Sequence, residues 1–181
     1  MTSSAESDGP RAPRVLVVEP NRNYAGVLVR RIADGGYRVA TADSARSALV
    51  ELHRLPVDLV LAELRMPRQS GVDLVRMIRE DAVHNELPVV LIAGRSDRTA
   101  SIQAFNAGAD GVVVKPFHFE VLLARIAREL GRARAVRQLR EDNDALDARV
   151  VGRAIELGEM RERWLASEAE RRRLEELVKG D

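Results

Sequence analysis

The chain has 181 residues, 45% of them hydrophobic, 31% charged and only 3% aromatic, and its 29 basic and 28 acidic side chains leave a net charge of +1. That length suits one core-forming domain and a smaller unit, and the balanced charge, twelve basic and twelve acidic residues from position 131 onward included, gives nonspecific nucleic-acid binding little electrostatic support. The absence of cysteine excludes disulfides, thiolate nucleophiles and cysteine-ligated zinc, and no apolar run approaches the ~18 residues of a membrane span.

In chain order, residues 1–13 are rich in Ser, Pro, Ala and Gly without apolar periodicity and are expected to form a disordered leader. Nothing in them resembles a signal peptide, so a cytoplasmic protein is expected. From Arg14, short apolar runs alternate with amphipathic segments. VLVV (15–18) predicts a strand, and a helix follows from about Asn21 to Asp34, ended by Gly35-Gly36. YRVAT (37–41) predicts a second strand, followed by a helix from about Ser44 to Leu55 that Asp43 can cap. VDLVLA (57–62) and a helix from about Val72 to Glu80 form the third pair. PVVLIA (88–93) and a helix from about Thr99 to Ala107, ended by Gly108, form the fourth. GVVV (111–114) leads to a helix beginning near Phe119. Near-continuous Val, Leu and Ile suit strands covered on both faces, so five βα units predict a doubly wound α/β domain with a parallel sheet.

In such sheets the chemistry gathers beyond the carboxyl ends of the strands. Here those ends carry Glu19-Pro20, Glu63, Ala93-Gly94 and Lys115-Pro116. Lys115 stands out because only it and Lys179 are lysines among 29 basic residues. A compact ammonium is not interchangeable with a guanidinium where a point charge must reach a carboxylate or phosphoryl oxygen. The Lys-Pro bond at this place can be cis. Asp58, Asp73 and Asp110 lie elsewhere and read as capping or turn residues, while His53, His84 and His118 show no metal-ligand spacing.

VLVVE, DLVLAELRMP…SG, PVVLIAG and AGADGVVVKPF, in this order and spacing, resemble the receiver domain of bacterial response regulators over residues 14–130. The resemblance implies a flavodoxin-like sheet of order 2-1-3-4-5 and a place in two-component, phosphorelay signalling. It also implies an aspartate acceptor after the third strand, two acids after the first that help hold Mg²⁺, a hydroxyl residue after the fourth, an aromatic in the fifth and a phosphoryl-contacting lysine. By motif, Glu63 stands at the acceptor position, Glu19 is one acid and Pro20 replaces the other. Ala93 replaces the hydroxyl residue, Val112 the aromatic, and Lys115, followed by Pro116, is intact. Mg²⁺ is therefore not expected, no metal ligand or catalytic residue is assigned, and Glu63 is expected either to pair with Lys115 in a static scaffold or to mimic a phosphorylated acceptor.

After Gly131 the chain lacks proline and strand signals, which predicts a long helix over 131–181 with a bend or break near Gly152 and Gly158. Val136, Asn143, Val150, Leu157, Trp164 and Val178 fall at heptad position a, and Leu139, Leu146, Met160 and Leu174 at d. This seam predicts a parallel two-stranded coiled coil, Asn143 fixing its register; a helical hairpin or an isolated helix are the alternatives. Residues 145–157 also faintly resemble the start of a three-helix antitermination module that binds RNA. The expected function is that of a pseudo-receiver adaptor, not an enzyme, homodimeric through its C-terminal helix. It is expected to bind signalling proteins through its fourth helix, fifth strand and fifth helix, with no membrane or nucleic acid involved. A phosphorylatable response regulator is the alternative.

Overall fold

Each apolar run becomes a strand, and each amphipathic segment a helix that covers the sheet. A computed structural model describes residues 11–179, with side chains through 173. The order is β1 (Arg14–Val18), α1 (Arg22–Asp34), β2 (Arg38–Ala42), α2 (Ala45–Arg54), β3 (Leu59–Glu63), α3 (Gly71–Glu80), β4 (Val89–Ala93), α4 (Arg98–Asn106), β5 (Gly111–Val114) and α5 (Phe119–Lys179). All pairings are parallel and the sheet order is β2-β1-β3-β4-β5.

Period-two alternation divides the core between the sheet's faces. Leu16, Val18, Val60, Ala62, Leu91 and Ala93 pack with residues of α2, α3 and α4. Val15, Val17, Leu59, Leu61, Val90 and Ile92 meet Leu28 and Ile32 of α1 and Leu122, Ile126 and Leu130 of α5. The central strands β1, β3 and β4 therefore need apolar residues on both sides, which is why their hydrophobic runs are nearly unbroken, whereas the edge strand β2 carries Arg38 and an exposed Thr41.

Helix starts are fixed by side-chain caps. Asn21 accepts from the Asn23 and Tyr24 N–H groups, and Ser70 and Asp73 form a reciprocal capping box on α3. Ser44, not Asp43, caps α2; Asp43 instead accepts from the Ser44 and Ser47 hydroxyls. Gly36 and Gly108 take positive φ (87° and 101°) after α1 and α4, where a side chain would be strained. The Lys115–Pro116 peptide bond is cis.

The Cα packing separates a unit ending at Arg134 from one beginning at Ala135. The helix of the second unit runs to Lys179 without a break at Gly152 or Gly158, which corrects the expected break. A glycine costs only about 1 kcal/mol in a helix interior, and the surrounding Arg, Glu, Ala and Leu are good helix formers. This unbroken helix also excludes a hairpin, and a three-helix module, among the described residues. Val136, Leu139, Leu146, Val150, Leu157, Met160 and Trp164 are exposed, as is Asn143. Leu174 and Val178 belong to the helix, but their side chains lie outside the described residues, as does the expected leader up to residue 10. Among the described residues, no helix is long and apolar enough to cross a membrane.

The join between β3 and α3 is the tightest constraint beside the strand ends. A Cβ on Gly71 would sit 2.7 Å from the Glu63 carbonyl oxygen and 3.0 Å from the Leu64 Cα, whereas one on Gly26 in α1 would meet nothing within 4 Å. Gly71→Ala is expected to lower stability by about 1–3 kcal/mol and Gly26→Ala to raise it by about 0.5–1 kcal/mol, as measured by urea unfolding.

Candidate functional site

The carboxyl ends of β1, β3 and β5 bring Glu19, Glu63 and Lys115 together. Glu63 is the last residue of β3, whose neighbour β4 accepts the Leu64 N–H at the Ile92 carbonyl. Lys115 follows β5, its N–H held by the Ala93 carbonyl at 2.8 Å. Its ammonium donates to Glu63 Oε2 at 2.5 Å and lies 4.3 Å from the centre of the Tyr24 ring. That ring is placed by the first turn of α1. Cation–π attraction and a charge-assisted hydrogen bond thus fix one ammonium from two sides.

Glu19, 6% exposed, is anchored through Oε1, which accepts from the Asn21 N–H at 2.9 Å. Its Oε2 is buried without a hydrogen-bond partner. Burial pushes the Glu19 carboxyl above its ordinary 4.5; the Asn21 N–H pulls it back, and the nearby Glu63 carboxylate adds to the rise. Burial also raises the Tyr24 phenol, against the opposing pull of Lys115. The cleft thus holds two carboxyl groups and one ammonium.

Around this centre, Ala93 is fully buried at the end of β4 and offers only a methyl group. Val112 lies half-buried within β5 and packs on the core face that carries Ala93. Pro20 is half-buried beside Glu19, and Pro116 is exposed. Asp58 accepts the Arg14 N–H, and Asp110 accepts from the Val89 N–H and from Arg79. Asp73 serves its local capping box, whereas Asp58 and Asp110 tie together segments far apart in sequence, which spacing does not reveal.

Residues 15–127 match the family described as the response regulator receiver domain. The chain belongs to this family. PhoP of Escherichia coli K12, a transcriptional regulatory protein, is 34% identical over 113 residues, covering 62% of this chain and 50% of PhoP. A Vibrio cholerae protein named "Probable cyclic di-GMP phosphodiesterase" is 30% identical over 148 residues, 82% of this chain and 33% of that protein. The chain thus spans half or less of these curated relatives. Among solved structures, the receiver domain of NtrX from Brucella abortus superposes with a TM-score of 0.61 at 28% identity, covering 65% of this chain and 98% of that one.

The divalent ion that the family implies does not fit the residues of this receiver. Mg²⁺ keeps several waters and demands octahedral oxygen ligands at about 2.0–2.1 Å. Pro20 supplies no side-chain oxygen, Glu19 Oε2 has no access to water, and the Lys115 ammonium already sits on Glu63.

Three contacts of this receiver are invisible to motif reading. Tyr24 carries no signal beyond its place in an amphipathic helix. Arg65 and Asp97 pair across two loops, and Asp97, 3% exposed, also accepts the Gly94 N–H at 2.8 Å. Burial alone would raise the Asp97 carboxyl, but the Gly94 N–H and the Arg65 guanidinium outweigh it and hold it below the ordinary carboxylate range. The third contact is one that spacing in sequence does not show: His53 and His84, far apart in the chain, meet at Asp81, because α2 and α3 pack side by side and end on the same edge of the sheet.

The raised Glu19 pKa sets a sign. Stability linked to this group is present in full below its ordinary 4.5 and is lost as the pH rises through the higher folded value. Glu19→Gln keeps the acceptor for Asn21 and never ionises. Thermal unfolding between about pH 4 and pH 8 is expected to show the variant more stable than wild type at neutral pH, with the difference shrinking toward acid.

Proposed function

We propose that this receiver is a phosphorylation-independent signalling adaptor: its cleft is held by an internal ion pair, it acts by protein–protein contact, and its C-terminal helix pairs with a second copy. The observation that carries this reading is the Lys115 ammonium on Glu63 Oε2. A carboxylate already bonded to a cation is a poor nucleophile, and glutamate's extra methylene sets its oxygens beyond the attack position an aspartate would occupy. Without a divalent ion, little offsets the charge that develops in phosphoryl transfer. Ala93 and Val112 add no hydroxyl to turn toward the cleft and no ring to rotate, so Glu63 and Lys115 form a static scaffold.

The proposed partner surface is the face of α4, β5 and the start of α5, where Ile102, Phe105, Val114 and Val121 are exposed. The partner is a signalling protein. Dimerisation is supported by the apolar seam from Val136 to Trp164: exposed valine at a, leucine at d and a single Asn143 favour two parallel strands in one register. Intrahelical pairs such as Arg163–Glu159 at 3.2 Å lie on exposed surface and add little.

Two measurements test this reading. Incubation with acetyl phosphate and Mg²⁺ is expected to leave the intact mass unchanged; an adduct on Glu63 contradicts phosphorylation independence. Sedimentation equilibrium of the full chain is expected to give a dimer that Leu146→Asp with Leu157→Asp converts to monomer; a monomeric wild type removes the coil.

A further inference from the structure

His53 is in the last turn of α2, Asp81 caps the end of α3, and His84 follows in the turn that leads to β4. One ligand atom from each of the three lies within 4.8 Å of the others. The same oxygen, Asp81 Oδ2, is 2.9 Å from His84 Nδ1 and 3.4 Å from His53 Nε2. The two rings meet edge to face, their centroids 5.1 Å apart. By chain order this cluster lies at the amino edge of the sheet, opposite Glu63 and Lys115.

Asp81 is oriented for this task by backbone. Its Oδ1 accepts the Val83 N–H at 2.9 Å, and the turn is closed by the His84 N–H on the Asp81 carbonyl and the Leu87 N–H on the His84 carbonyl. One carboxylate oxygen is thereby committed to the turn and the other is presented to two imidazoles. Of the three histidines in 181 residues, two converge on this single oxygen.

We propose that His53, Asp81 and His84 bind one divalent transition-metal ion of the zinc class. Imidazole and carboxylate suit Zn²⁺, which takes nitrogen at about 2.0–2.1 Å in a tetrahedron, and that geometry places ligand atoms about 3.4 Å apart. The His53–Asp81 separation already has this value. The His84–Asp81 contact widens slightly as the ion replaces the shared proton, and the exposed His53 closes in by a rotation of its side chain. Two imidazoles and one carboxylate leave at least one coordination position for water. Mg²⁺, which prefers oxygen, is not a competitor. The ion ties the end of α2 to the turn after α3.

The test is calorimetric titration of the tag-free full chain with zinc chloride, beside His53→Ala, His84→Ala and His118→Ala. His53 is 62% exposed in its side chain, so its replacement by a good helix former leaves the fold in place. One zinc per chain is expected, with a rise in the unfolding temperature. Binding is expected to weaken about tenfold or more in His53→Ala and His84→Ala, to stay unchanged in His118→Ala, and to resist excess Mg²⁺. Equal affinity in wild type and His53→Ala, or the lack of one-to-one uptake by the wild type, overturns the proposal.

Discussion

The bond between the Lys115 ammonium and Glu63 Oε2 is the contact on which the cleft depends. Two unit charges about 4 Å apart attract by about 4 kcal/mol at the effective dielectric of a protein surface, while removing each ion from water costs several kcal/mol. The side chains here are 34% and 11% exposed, so neither limit applies in full and the net gain is modest. The cost of breaking the pair is larger than the gain of making it. Removing Lys115 would leave Glu63 beside the buried Glu19, with no cation between two carboxyl groups.

This constraint propagates through the fold. Lys115 is fixed by the Ala93 carbonyl and the Tyr24 ring, so β4 and α1 both feel its position. Glu63 is fixed by β3 and by the close approach of Gly71 at the start of α3. A second ion pair, Arg65 with Asp97, ties the loop after β3 to the loop after β4. Together the two ion pairs hold the ends of β3, β4 and β5 to one another from within the cleft.

The sheet was legible in the sequence because its three central strands, β1, β3 and β4, are apolar runs covered on both faces, and turn residues punctuate the chain between strands. Strand ends moved by one or two residues because they are set by hydrogen-bonded register, as where β3 pairs Glu63 with Ile92. Glu63 and Lys115 were legible as residues at strand ends, since topology alone sends those ends to one edge. Tyr24, the Arg65–Asp97 pair and the meeting of His53 with Asp81 and His84 were not. Each joins side chains whose separation in sequence carries no period, and whose approach depends on how loops and helix ends pack.

The most direct measurement is a double-mutant cycle on Glu63→Gln and Lys115→Met, read by urea unfolding of the full chain with and without Mg²⁺. A favourable coupling of about 1–3 kcal/mol, the same in both buffers, is the expected result. Coupling within about 0.5 kcal/mol of zero, or a wild type that Mg²⁺ stabilises through Glu63, would contradict an internally held cleft.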